Sequence, residues 1–111
     1  MMKTRSDLLQ GTLDLLILKA LTLGPLHGWG VSKRIRQMSR EVLEVNQGSL
    51  YPALHRLEDR GMITAEWKTS DEGRRAKFYR LTKEGRSQFA DEKERWELFS
   101  TAVRNTLRAT S

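Results

Sequence analysis

Residues 47–61 read QGSLYPALHRLEDRG, and this stretch indicates the fold of the whole chain. Leu50, Leu54 and Leu57 recur at helical spacing, so one stripe of the segment is apolar and can pack inward. The opposite face is polar and partly basic; it comprises Pro52, His55, Arg56 and Asp59, with Ser49 and Tyr51 at its flanks. A short helix with these two faces is suited to the major groove of DNA.

A candidate β-hairpin follows this helix directly. Residues 63–67 alternate apolar and polar side chains, residues 70–73 carry a turn signal, and residues 76–81 return as a second strand. On the return strand Lys77, Tyr79 and Leu81 share one face, and Phe78 lies on the other. A groove-reading helix followed by a hairpin predicts a winged helix-turn-helix, so the expected fold class is mainly α with a small β-hairpin.

The first helix is predicted over residues 6–22 and is apolar around nearly its whole circumference. Such a helix must be covered on more than one side, by its own domain and by a partner subunit or the C-terminal helix. Leu9, Leu13 and Leu16 are therefore candidates for a dimer interface. The dipeptide at residues 24–25, Gly-Pro, ends this helix; a second helix is predicted over residues 28–38 and a short extended segment over residues 41–45.

The last helix is predicted over residues 83–108, with Thr82 as its N-cap. Its apolar side chains form one narrow row of coiled-coil type, which comprises Phe89, Trp96, Phe99, Val103 and Leu107. A row of this kind favours packing against a second copy, so we assign these residues to the dimer interface. Trp96 has two interpretations: it is a packing anchor of the dimer, or it lines a flat apolar slot for a small aromatic effector.

Length and composition restrict the class of protein. The 111 residues suffice for one compact unit, which we divide into a DNA-binding domain over residues 1–82 and a dimerisation helix over residues 83–111. The absence of cysteine excludes disulfides and fits the reducing cytoplasm, where we expect the protein. No run approaches the roughly 18 apolar residues of a membrane span, so we expect no membrane association. The net charge of +6 favours a polyanionic partner, although the basic residues are spread along the chain.

The sequence gives little support for an enzyme active site. Its two histidines, His27 and His55, do not lie at a spacing typical of metal ligands or of a catalytic pair, and no glycine-rich phosphate loop is present. We therefore predict no enzyme activity, no catalytic residues, no cofactor and no metal.

The hairpin tip or its return edge carries Arg74, Arg75 and Lys77. Arginine at a wing tip can reach phosphate or a narrow minor groove, whereas the alternative is an ordinary solvated turn. The full set of candidate DNA-contacting residues is Ser49, Tyr51, Pro52, His55, Arg56, Arg74, Arg75 and Lys77.

Alternatives stay open for three members of this set. Arg56 on the outer face contacts a base or a phosphate, or it pairs with the neighbouring Glu58 or Asp59. Tyr51 is either a flanking core aromatic or a phosphate donor. Ser49 either helps to cap the helix or lies at a phosphate site at the helix N-terminus.

Four runs of the sequence closely resemble the PadR family of bacterial transcriptional regulators. They are LQGTLD at residues 9–14, LGPLHG at residues 23–28, GSLYPALHRLE at residues 48–58 and YRLT at residues 79–82, the last followed by Gly85. The short chain that ends in one helix is similar to the compact branch of the family. Trp29 stands where the family usually has tyrosine.

The resemblance implies a homodimer of winged helices that represses transcription at a palindromic promoter site. It also implies DNA contact near Ser49, Tyr51 and Arg56 and at the wing residues Arg74 and Arg75. Some relatives release DNA when a phenolic or planar compound binds. We therefore predict a sequence-specific DNA-binding regulator; the alternative is a winged-helix module that binds another protein and ignores DNA.

Overall fold

The structure is a computed structural model that describes residues 6–69 and 71–110, with side chains described from residue 11 onwards. The elements in chain order are α1 (Ser6–Thr22), β1 (Leu26–His27), α2 (Gly28–Met38), α3 (Gln47–Asp59), β2 (Ile63–Thr69), β3 (Arg75–Leu81) and α4 (Lys83–Arg108). The predicted bounds of α1, α2 and α4 are confirmed. The predicted class, mainly α with a small β-hairpin, is confirmed as well.

Side-chain caps fix where three of the helices begin. His27 accepts a hydrogen bond from the backbone N–H of Gly30 through Nδ1 at 2.9 Å and so caps α2. The Asn46 side chain accepts one from the backbone N–H of Ser49 at 2.9 Å and caps α3. Thr82 Oγ1 accepts one from the Gly85 N–H at 3.0 Å. Each cap satisfies a backbone donor that the first turn of a helix leaves without a partner.

The three strands form one antiparallel sheet in the order β1-β3-β2. Leu26 pairs with Tyr79, and Ile63 pairs with Leu81 at the base of the hairpin. The sequence did not predict β1, because two residues are too few to show an alternating pattern. The extended segment predicted over residues 41–45 was wrong: residues 42–46 form a loop, entered through Arg40 and Glu41 at φ values of 54° and 69°.

The core lies where α1 crosses α2, α3 and the base of the sheet. Its largest fully buried side chains include Ile17, Leu18, Leu21, Ile35 and Leu50. This packing corrects one prediction of the dimer interface. Leu13 is only 7 % exposed and belongs to the core of its own chain, because the helical domain covers that side of α1.

The other two α1 residues predicted to lie at the interface are Leu16 and Leu9. Leu16 is partly buried and packs against the same core. Leu9 lies outside the described side chains.

The helix α4 joins the core only through its first turns. Gly85 lies so close to the residue before β2 that a Cβ there would lie 1.9 Å from the carbonyl oxygen of Met62. Phe89 is partly buried against the core. Farther along, Phe99 is 67 % exposed, and Trp96, Val103 and Leu107 are exposed too. Four of the five residues of the apolar row are therefore exposed in the described part of the chain.

Candidate nucleic-acid interface

The helix-turn-helix consists of α2 and α3, and the outer face of α3 is open. Pro52 and His55 are exposed on this face. Ser49 is half-buried beside the Asn46 cap, which its own backbone N–H completes. Contact of these three residues with DNA stays a prediction.

Tyr51 connects α3 to the start of α2. A Cβ on Gly28 would lie 2.6 Å from the Tyr51 hydroxyl oxygen, so the ring packs directly over the glycine backbone. The side chain is nevertheless 37 % exposed. Tyr51 therefore flanks the core and keeps part of its side chain at the surface, and its role as a phosphate donor stays a prediction.

Arg56 does not lie on the outer face of α3 as predicted. Its Nη2 donates a hydrogen bond to Asp14 Oδ1 of α1 at 2.7 Å, and its Nε is buried without a partner. A carboxylate buried in α1 needs a counter-charge, and the long Arg56 side chain reaches it from the flank of α3. The two neighbours considered as partners, Glu58 and Asp59, are not the residues that it pairs with. The sequence signal for this contact was Asp14 itself, a charge in the middle of an apolar helix.

Charges from α3, from its C-cap and from α4 act on Asp14. Burial of this carboxyl raises its pKa above the ordinary value of 3.8; the Arg56 hydrogen bond and charge oppose the shift. Glu92 of α4 raises the pKa further, and Arg60, the C-cap of α3, lowers it. Because burial outweighs the attraction of Arg56, ionisation of Asp14 has a net cost in the folded chain.

The β2–β3 hairpin forms a wing that extends past the core. Ile63 is buried and Ala65 is half-buried, whereas Trp67 on the same face is 59 % exposed. The alternating pattern correctly predicted the strand, but the core ends before Trp67 is reached. Gly73 at a φ of 80° closes the turn, a conformation that glycine adopts without strain.

The three basic wing residues lie in two different environments. Arg74 and Arg75 are exposed near the tip, as predicted. Lys77 does not lie at the tip or its edge but in the middle of β3, where its Nζ is 3.3 Å from Glu58 Oε1 of α3. The same ammonium group lies 5.5 Å from the centre of the Tyr79 ring. Lys77 thus ties the wing to the helix that precedes it, because its side chain points along the inner face of the hairpin.

A shallow groove of about 420 Å³ runs along the exposed side of α4. Its lining residues are Trp96, Phe99, Ser100, Val103, Arg104, Leu107 and Arg108. The Trp96 and Phe99 rings lie 6.4 Å apart at an interplanar angle of 66°. The groove is therefore mainly apolar and aromatic, with arginine at its border.

A family model described as the transcriptional regulator PadR-like family matches residues 17–91, which is more than half of the chain. The chain belongs to this family. The assignment to PadR-like regulators agrees with the resemblance seen in the four sequence runs. It also agrees with the prediction that the chain is not an enzyme, since the family consists of transcriptional regulators.

Known proteins similar to this PadR-like chain agree in fold and class. A transcriptional regulator from Clostridium thermocellum has a TM-score of 0.80 and 31 % identity, covering 89 % of this chain and 96 % of that one. A PadR-like transcriptional regulator from Bacillus cereus has a TM-score of 0.79 and 29 % identity, covering 94 % and 99 %. A transcriptional regulator of Mycobacterium tuberculosis is 37 % identical over 68 residues, which cover 61 % of this chain and 63 % of that protein.

The described part of this PadR-like chain offers neither a metal site nor a membrane-spanning helix. Among its described residues, no group of three or more histidine, cysteine, aspartate or glutamate side chains could hold a metal ion. Within the same residues no helix is both long enough and apolar enough to cross a bilayer.

Proposed function

We propose that this PadR-like regulator is a sequence-specific DNA-binding repressor that acts as a homodimer on a palindromic promoter site. Residues 1–82 bind DNA, and residues 83–111 hold the two copies together. Because bacterial promoters lie in the cytoplasm, the proposal places the protein there as well.

The observation that carries the proposal is the arrangement of α3 and the wing. The outer face of α3 offers exposed side chains at His55 and Tyr51, on a helix whose N-terminal end is capped and polar. The Lys77–Glu58 ion pair holds the wing beside this helix. Arg74 and Arg75 are exposed at the end of the wing. A helix for the major groove and a basic loop for the flanking backbone are thereby presented together.

Dimerisation is supported by the uncovered row on α4. A terminal helix that exposes Trp96, Phe99, Val103 and Leu107 leaves an apolar stripe in water, and a second copy of the same stripe would cover it. Two-fold symmetry of the protein then requires a palindromic site, with half-sites about 34 Å apart along the duplex.

The groove on α4 supports an aromatic effector as a second hypothesis. Trp96 and Phe99 offer ring faces on which a small planar compound could stack, and Arg104 and Arg108 border them. Titration with planar aromatics should then quench tryptophan fluorescence saturably in the wild type and not in Trp96→Ala. Absence of saturable quenching in the wild type would leave Trp96 with its packing role alone.

A gel-shift experiment tests the proposed function. The probe is the duplex upstream of the protein's own gene, in the presence of excess nonspecific competitor. We expect a discrete complex that survives the competitor and weakens steeply with salt. No complex at low ionic strength would contradict DNA binding and favour the alternative, a winged-helix module that binds another protein.

A further inference from the structure

The inner face of the wing carries cations and aromatic rings in alternation. Tyr79 is buried at the base, and the Lys77 ammonium lies 5.5 Å from the centre of its ring. Lys77 is the cross-strand partner of Trp67, and the Arg75 guanidinium lies 5.6 Å from the Trp67 ring centre. We call these four residues the wing ladder; it leads without interruption from the core to the tip.

Trp67 is the member of the wing ladder that packing does not explain. Its side chain is 59 % exposed, although it lies on the same face as the buried Ile63. Burial in the core therefore accounts for little of its position, and the ring instead contacts the wing tip. The Arg75 guanidinium, near the tip, lies over the ring at a distance typical of a cation–π contact.

The ladder is also fixed relative to α3. Lys77, which lies between Tyr79 and Trp67, pairs with Glu58 of α3 at 3.3 Å. Trp67 and Lys77 thereby link the Arg75 guanidinium to α3, the helix that would enter the major groove. An arginine held in this way loses less rotamer freedom when it meets a phosphate than one that moves freely in water.

We propose that Trp67 is a positioning residue for DNA binding, which holds the Arg75 guanidinium in place for the duplex. This inference rests on the proposed function, since it concerns the same surface. It assigns to Trp67 a role that acts through Arg75 rather than through contact with a base.

A double-mutant cycle tests the inference. The variants are Trp67→Leu, Arg75→Ala and the two combined, titrated with a duplex that the wild-type protein selects from a random pool. Trp67→Leu should weaken binding by roughly five- to thirtyfold in a dimer with two wings, but by less than about twofold when Arg75 is already alanine. The salt dependence should stay unchanged in Trp67→Leu and flatten in Arg75→Ala, because only the second removes a charge.

Two control variants make the result specific. Leu98→Ala shortens an exposed apolar side chain, 74 % exposed, that lies on α4, outside the proposed DNA-binding residues and off the apolar row. We expect this change to alter affinity by less than about twofold. Trp67→Phe keeps an aromatic face for Arg75 and should retain most of the affinity, which also guards against a folding defect in Trp67→Leu.

Three outcomes would overturn the inference. These are equal losses from Trp67→Leu with and without Arg75, no loss from Trp67→Leu in the wild-type background, or an equal loss from Leu98→Ala. Each of them leaves the proposed function intact as long as the wild type binds the selected duplex. If the wild type selects no duplex, that result would contradict the proposed function and this inference together.

Discussion

The Asp14 carboxylate of α1 accepts a hydrogen bond from the Arg56 guanidinium of α3 at 2.7 Å, across 42 residues of sequence. The carboxylate is nearly inaccessible to water, and the guanidinium is less than one third exposed. The pair fastens the helix that carries the proposed DNA-reading face to the central helix of the core. Its main consequence is for folding, because each partner would be left with unsatisfied charge if the other were removed.

Arg56→Ala should lower the free energy of unfolding by about 1–3 kcal/mol, since it leaves a buried carboxylate without its donor. Urea titrations measure the effect. The exposed Arg86→Ala of α4 is the control and should change stability by less than about 0.5 kcal/mol. The double variant Asp14→Leu with Arg56→Met, which replaces both charges by apolar groups, should recover most of the loss. Equal midpoints for Arg56→Ala and the wild type would contradict a structural role for the pair.

The raised pKa of Asp14 predicts a pH dependence of stability. The folded chain binds the Asp14 proton more tightly than the unfolded chain, mainly because the carboxyl is buried. Its contribution to stability is then fully present below the ordinary value of 3.8 and is lost as the pH rises through the folded pKa. The wild type should therefore lose stability relative to Asp14→Asn, which cannot titrate, between about pH 4 and neutral pH. If the wild type instead gains stability relative to Asp14→Asn over this range, folding lowers the pKa of Asp14.

The wing arginines should contribute to DNA binding through their charge. Replacing Arg74 and Arg75 together by alanine should weaken binding to all sequences and flatten the plot of log affinity against log salt by about 2 to 4 in a dimer. Fluorescence anisotropy at several salt concentrations measures this slope. The matched control replaces two exposed basic residues of α4, Lys93 and Arg95, and should leave the slope unchanged. If the salt slope of the wing variant equals that of the wild type, the wing arginines do not contact the DNA phosphates.

The dimer should depend on the α4 row and not on exposed apolar residues in general. Phe99→Glu places a charge in the row and should shift the protein to the monomer in analytical ultracentrifugation. Leu98→Glu is the matched control, because Leu98 is the next residue back along the chain, 74 % exposed and off the row. It should leave the dimer unchanged. A wild-type protein that is monomeric at high micromolar concentration would contradict the assignment.

Two glycine substitutions should act on stability in opposite directions. Gly85→Ala would place a methyl group 1.9 Å from the carbonyl oxygen of Met62, so α4 must shift, at a cost of about 1–3 kcal/mol. A Cβ on Gly11 of α1 meets no described atom within 4 Å, so Gly11→Ala should stabilise the protein by about 0.5–1 kcal/mol through helix propensity. Thermal unfolding of both variants measures the effects. A neutral Gly85→Ala would contradict the tight contact between α4 and Met62, the residue before β2.

The sequence predicted those features that depend on local periodicity and local caps. The leucine stripe of α3, the Thr82 cap and the turn at Gly73 lie where the pattern placed them. Each of these features depends on neighbours within a few residues, where helical or strand spacing determines which side chains share a face.

The predictions that failed depend on partners far along the chain. The sequence around Arg56 offered Glu58 and Asp59 as partners, yet the ion pair forms with Asp14 because a buried carboxylate required it. Lys77 likewise turned toward Glu58, 19 residues away. Leu13 was assigned to an interface because α1 is apolar all round, but spacing alone does not tell which side its own domain covers.

Selection of bound duplexes from a random pool tests most directly whether two copies of this chain read DNA as a symmetric pair. We predict that the recovered sequences share an inverted repeat whose half-site centres lie about 10 base pairs apart, or a multiple of this spacing. The mass of the complex should correspond to two chains per duplex. Recovery of no enriched sequence at low ionic strength, or of a single half-site bound by one chain, would contradict a dimeric DNA-binding repressor.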